Sequence, residues 1–119
     1  MYAIVNKTTG KVNSISSFKP ENIKADEVII DNFDVADINL FRFYIYNFDT
    51  KVFSYSNNGK FNDIRIKRNK LLFNSDYTQL DDSTYAGTKE EWKTYRQKLR
   101  DITKGVTDPD TIVFPEEPR

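Results

Sequence analysis

Thr88-Lys-Glu-Glu91-Trp92-Lys-Thr-Tyr95-Arg96-Gln-Lys-Leu99-Arg100-Asp101-Ile102-Thr103-Lys104-Gly105 is a helix with both ends marked in the sequence. Thr88 and Glu91 have capping-box spacing, in which the threonine hydroxyl accepts from the Glu91 N–H and the glutamate reaches back. Glu90 and Glu91 favour the positive helix start, and Lys98, Arg100 and Lys104 its negative end. Trp92, Tyr95, Leu99 and Ile102 recur at helical spacing and form one apolar stripe. Gly105 suits a left-handed stop. This helix must bury its stripe against a neighbour in the chain, and the preceding segment supplies one.

That segment changes period near residues 57–60. From Asn62 to about Ser75, Phe61, Ile64, Leu71 and Leu72 fall within one apolar arc, while Arg65, Lys67, Arg68 and Lys70 crowd the rest. Asp76 to Gly87 reads as a loop. The end, Thr107–Arg119, holds Pro109, Pro115 and Pro118 and reads as an extended strap.

Upstream, the pattern alternates. Tyr2–Asn6 and Val12–Phe18 flank a turn at Gly10 and read as a hairpin, with Val12, Ser14, Ser16 and Phe18 on one side and Ile15 on the other. Pro20 interrupts the pattern, and Glu27–Asp31 is a short strand candidate. Leu40–Asn47 and Val52–Ser56 form an aromatic-rich hairpin, placing Phe41, Phe43 and Ile45 on one face and Arg42, Tyr44 and Tyr46 on the other. Asn57-Asn-Gly-Lys60 reads as the turn that ends the sheet. The fold class is therefore α+β: N-terminal antiparallel hairpins (residues 1–60), then a two-helix module with an extended proline-containing tail (residues 61–119).

Composition narrows the function classes. The 119 residues are 38% hydrophobic and 14% aromatic, with a formal net charge of zero and no histidine or cysteine. Disulfide frameworks and thiolate metal sites are excluded, as is histidine acid–base chemistry. Asp81-Asp82 and Glu90-Glu91 are adjacent pairs that diverge, unlike a catalytic dyad. Asp31, Asp34 and Asp37 lack the glycine and terminal glutamate of a calcium loop. No cofactor and no enzyme activity are expected. Before and after Lys60 the charges balance, seven of each sign up to it and eleven of each beyond. The surplus typical of a general nucleic-acid binder is missing, although the basic helix 62–73 keeps that class as an alternative. No segment resembles a signal peptide or bilayer span, so the chain is expected to be cytosolic when made.

The order of residues is more specific than their composition. The basic helix Ile64–Leu72 ending in paired leucines is followed by Asp76-Tyr77-Thr78-Gln79-Leu80-Asp81-Asp82. Next come Trp92-x-x-Tyr95-Arg96-x-x-Leu99-Arg100-Asp101 and the ending Phe114-Pro115-Glu-Glu-Pro118. Together these four pieces resemble the phage tail assembly chaperone family over residues 62–119. Tyr77 stands where the family pattern has Trp, Asp81 where it has Pro, and Phe114 where it has Trp. The resemblance implies a non-catalytic bacteriophage tail protein, present in the host cytoplasm during assembly. The leading expectation is a virion subunit or adaptor at the tail, baseplate or tail fibre, a role compatible with multi-copy assembly. The alternative is a transient assembly chaperone absent from the mature particle. Partners would be other tail, baseplate or tail-fibre proteins, not nucleic acid or membrane. Leu71, Leu72, Tyr77, Gln79, Leu80, Trp92, Tyr95, Leu99 and Ile102 are expected to form the module's core. Arg96, Arg100, Phe114, Pro115 and Pro118, together with Tyr44 and Tyr46 of the hairpin, are the expected partner contacts.

Overall fold

Strand β1 (Tyr2–Asn6) is short and apolar, with Ala3, Ile4 and Val5 all buried, because it has a neighbour on each side. The computed structural model describes residues 1–119 and divides them into two compact units, Met1–Gly59 and Lys60–Arg119. In the first unit β1 pairs antiparallel with β2 (Val12–Ser16) and β3 (Glu27–Ile30), giving the order β2-β1-β3. Strands β4 (Tyr44–Asn47) and β5 (Val52–Tyr55) form a separate antiparallel hairpin. The chain is α+β as the sequence predicts. Antiparallel sheets come first, then two helices, α1 (Asn57–Ser75) and α2 (Lys89–Arg100), and a short 3-10 turn at Pro109–Thr111. Beyond that turn, residues 112–119 have no regular structure. No helix is long and apolar enough to cross a membrane.

Several local predictions are corrected. Simple alternation puts Val12 and Ile15 on opposite faces, yet both pack on the core. The register shows why: Ile4 faces Ser14 while Val5 faces Val12, so Asn13 is an extra, bulged residue. One inserted residue inverts the pleat on one side of it. The strand stops at Ser16, and Phe18 is exposed.

The Asn13 amide donates to Glu27 Oε2 at 3.1 Å, and the Lys24 N–H donates to Glu27 Oε1 at 3.0 Å. The Lys24 bond foremost, then Asn13, holds the Glu27 carboxyl below its ordinary value of 4.5. A depressed carboxylate stabilises the fold fully above its unfolded pKa, and that contribution disappears as pH falls through the lower folded value. Glu27→Gln should therefore flatten the acid limb of stability, read as the urea midpoint between about pH 5 and pH 3.

The strand predicted from Leu40 begins only at Tyr44. Residues Ile38–Phe43 coil into a 3-10 helix because Asp37 caps it, its carboxylate accepting from the Asn39 N–H at 3.0 Å. Tyr44 and Tyr46 then face inward and Ile45 outward. The two tyrosines join a cluster around the fully buried Phe33, whose ring meets Tyr44 at 5.7 Å and Phe53 at 4.8 Å, both edge-on. Asn57–Lys60 is also not a terminating turn. Ser56 Oγ accepts from the Gly59 N–H at 3.2 Å and starts α1 there.

Candidate functional site

The second unit is built on α2. Its capping box is complete: the Glu91 N–H donates to Thr88 Oγ1 at 3.2 Å and the Thr88 N–H donates to Glu91 Oε1 at 3.1 Å. Trp92, Tyr95 and Leu99 are buried and pack with Leu71, Leu72, Tyr85 and Phe114. Trp92 Nε1–H donates to the Ala86 carbonyl at 2.7 Å, which ties the loop to the helix. Edge-on ring contacts run from Tyr77 to Tyr85 (6.3 Å), Tyr85 to Trp92 (6.3 Å) and Trp92 to Tyr95 (5.4 Å). Burial pushes the Tyr95 phenol above its ordinary pKa, and the Glu117 carboxylate adds to the shift.

α1 ends with carbonyls that no turn of helix can satisfy, and its own last turn has no basic side chain. α2 supplies one. Arg96 Nη1 donates to the Leu72 carbonyl at 2.7 Å and to Ser75 Oγ at 2.6 Å, and Nη2 donates to Asp76 Oδ1 at 2.8 Å. Thr78 Oγ1–H serves a second orphan, the Ser75 carbonyl, at 2.6 Å. A cation against the negative helix end adds to the hydrogen bonding. The side chain of Arg96 is only 14% exposed and belongs to this cap. Arg100 is exposed and bonds only Gln97, so the two arginines do not reach one surface together.

The strap is held at several points. Lys60 pairs with Asp110 at 3.2 Å, and the Lys67 ammonium lies 4.3 Å from the centre of the Phe114 ring. Pro118 packs against Gly87, where a Cβ would stand 2.9 Å from the proline Cβ. Gly87 also has a φ of +76°. Gly87→Ala should therefore cost about 1–3 kcal/mol, combining left-handed strain with displacement of the strap. The check is the thermal midpoint, alongside Gly105→Ala. Gly105 has a φ of +69° and open space within 4 Å of where a Cβ would stand, so its substitution should cost only the strain, about 1–2 kcal/mol.

Residues 61–119 match the phage tail assembly chaperone protein family. No curated protein and no solved structure matches the chain. Within residues 61–119, the three positions that depart from the pattern named above each have a partner. Tyr77 makes the ring contact with Tyr85. Asp81 takes an ion pair with Lys89 at 3.1 Å. Phe114 packs with the α2 cluster beneath Lys67.

The other expected positions divide. Leu71, Leu72, Trp92, Tyr95 and Leu99 lie together, and Ile102 is half-buried beside the groove lined by Val106 and Phe114. Gln79 is half-buried and donates to Thr78 Oγ1, while Leu80 is 58% exposed. Pro115 and Pro118 are half-buried along the strap. Tyr44 and Tyr46 belong to the first unit's aromatic cluster. Nothing in the sequence pattern marks Tyr85, Ser75 or the Ala86 carbonyl as part of this site. One signal was available for Arg96: it sits three residues before Leu99 and four after Trp92, on the border of the buried stripe.

The basic residues of α1 do not form a phosphate-tracking row. Lys60 and Lys67 are engaged by the strap, Arg65 stacks on Phe61 at 5.7 Å, and Arg68 bonds Asn69. No cluster of three or more acidic side chains is placed to hold a metal ion. The matching family is described as one of phage tail assembly chaperone proteins.

Proposed function

We propose that this protein is a transient phage tail assembly chaperone. It would act in the host cytoplasm, hold another tail protein through non-covalent contacts, and leave before the particle is complete. The family match over residues 61–119 carries this reading. The internal order of the module supports it, since each family position that departs in this chain keeps a packing or ionic partner. The match favours the assembly role over the virion-resident adaptor that the sequence reading placed first.

Partners would be tail, baseplate or tail-fibre polypeptides, with the N-terminal sheet unit as a docking domain. Arg100, with its exposed guanidinium, and the outer side of the Pro115–Pro118 strap are the partner contacts we infer from the earlier set. Mass spectrometry of purified virions and of infected-cell lysate tests this directly. The chain should be abundant in lysate and absent from particles. Recovery from virions in a fixed ratio to a tail protein would overturn the chaperone reading and restore the adaptor.

A further inference from the structure

α1 has two faces, and only one is used by the fold. Ile64, Leu71 and Leu72 are drawn into the module. Ile66 and Phe73 are 60% and 77% exposed. Seven residues make close to two turns, so these two side chains lie on one face, opposite the packed one. Lys70 and Asp63 lie on that face, and Arg65 and Lys67 border it on either side. A two-turn apolar strip bordered by cations has the layout of a docking surface, with an apolar centre and a charged rim.

We propose that this outer face of α1 docks an acidic amphipathic helix of the tail polypeptide being chaperoned. The identity of the cargo as a tail polypeptide rests on the chaperone reading; the face and its charge do not. Charge decides among occupants. On and beside this face stand Arg65, Lys67 and Lys70 against Asp63, a surplus of two positive charges; Lys60 is paired with Asp110 and Arg68 lies on the packed side. A second copy meeting this face through a two-fold axis would set that surplus against itself. A nucleic-acid strand would find a stacking ring in Phe73, but the cations do not align as a row that tracks its phosphates, and Asp63 on the same face repels them. An acidic helix with leucines at i, i+3 and i+7 satisfies both parts at once, laying its apolar stripe on Ile66 and Phe73 and its carboxylates against the basic rim. The strip is narrow, so affinity should be modest and strongly dependent on salt.

The test uses the full-length chain and two synthetic 20-residue helical peptides with the same leucine stripe, one with glutamates on its polar positions and one with lysines. Isothermal titration should show binding of the glutamate peptide only. Phe73→Glu should weaken it about tenfold or more, as expected when a central aromatic anchor is lost. Ile66→Ser serves as a second variant, and both positions are exposed enough to leave folding intact. A control at the exposed Phe18, Phe18→Ser, should leave binding unchanged. Equal binding of both peptides, binding of neither, or indifference to Phe73→Glu would overturn the proposal. So would displacement of the peptide by a single-stranded oligonucleotide, or a dimer by light scattering that Phe73→Glu dissolves. Failure here would leave the chaperone reading standing on the virion assay, which does not depend on this face.

Discussion

Gly10→Ala should be among the most damaging single-methyl changes in this chain. Gly10 sits in the β1–β2 turn with a φ of +74°. Its carbonyl accepts from the Tyr46 N–H at 2.8 Å, and the neighbouring Lys11 bridges Ile45. These contacts fasten the β4–β5 hairpin to the three-stranded sheet, and they bring two backbones so close that there is no room for a side chain between them. A Cβ at position 10 would fall on the Tyr46 carbonyl oxygen, well inside contact distance. A carbonyl cannot rotate away as a side chain can, so the turn must withdraw. The cost combines left-handed strain of about 1–2 kcal/mol with loss of the fastening hydrogen bond, about 1 kcal/mol more. Disturbance of the Phe33–Tyr44–Phe53 packing adds to it, so a total of about 3–4 kcal/mol is expected. Urea denaturation should show it as a lowered midpoint. Hydrogen exchange should show lost protection at Tyr46 and along β4 and β5. Gly105→Ala, with the same sign of φ and open space around it, isolates the strain from the clash.

The C-terminal helix was legible in the sequence because everything that defines it is local. A capping box needs only Thr88 and Glu91, and a stripe needs only Trp92, Tyr95 and Leu99 at the right spacing. Even there the end was misplaced. Gly105 marks a left-handed residue, but α2 stops at Arg100, where the Asp101 N–H is shared between the Gln97 and Leu99 carbonyls and the chain tightens into turns. The sheets were legible as strands but not in register. Nothing near Asn13 announces a bulge, because a bulge is settled by what Ile4 and Val5 require across the ladder. Ser56 was hidden by the strong turn character of Asn57-Asn-Gly59. The sequence cannot say that Gly59 is tolerated in a helix because the Tyr55 and Phe43 side chains crowd its Cα. Phe33, a lone aromatic in a polar stretch, became the most central ring of the first unit.

Arg96 shows the same limit at the candidate site, and its substitution is the other large effect expected. Its position in the motif, four residues from Arg100 on a charged helix, suits a partner contact. Its neighbours in space are the end of α1, which the sequence places more than twenty residues away. Arg96→Met keeps an aliphatic stem of similar length and removes the fork. The Leu72 carbonyl then loses its charged donor, though the Ser75 hydroxyl at 3.0 Å stays, and the exposed Asp76 loses its pair. The Asp76 bond contributes little, since surface pairs are worth about 0–1 kcal/mol. The two half-buried bonds from Nη1 dominate, at about 1.5–3 kcal/mol for charged donors. A total near 3 kcal/mol is expected, with α1 fraying from its C-terminal end. Circular dichroism and exchange at residues 72–75 would register that fraying. Arg96→Lys should recover under half of the loss, because one ammonium cannot reproduce a planar fork aimed at three acceptors. Arg100→Met should change stability by less than about 0.5 kcal/mol, as for other exposed substitutions. If Arg96→Met instead left the midpoint unchanged and weakened only partner capture, the cap would be incidental and the arginine a contact residue after all. The ordering of these three variants therefore separates an architectural arginine from a recognition arginine within one helix.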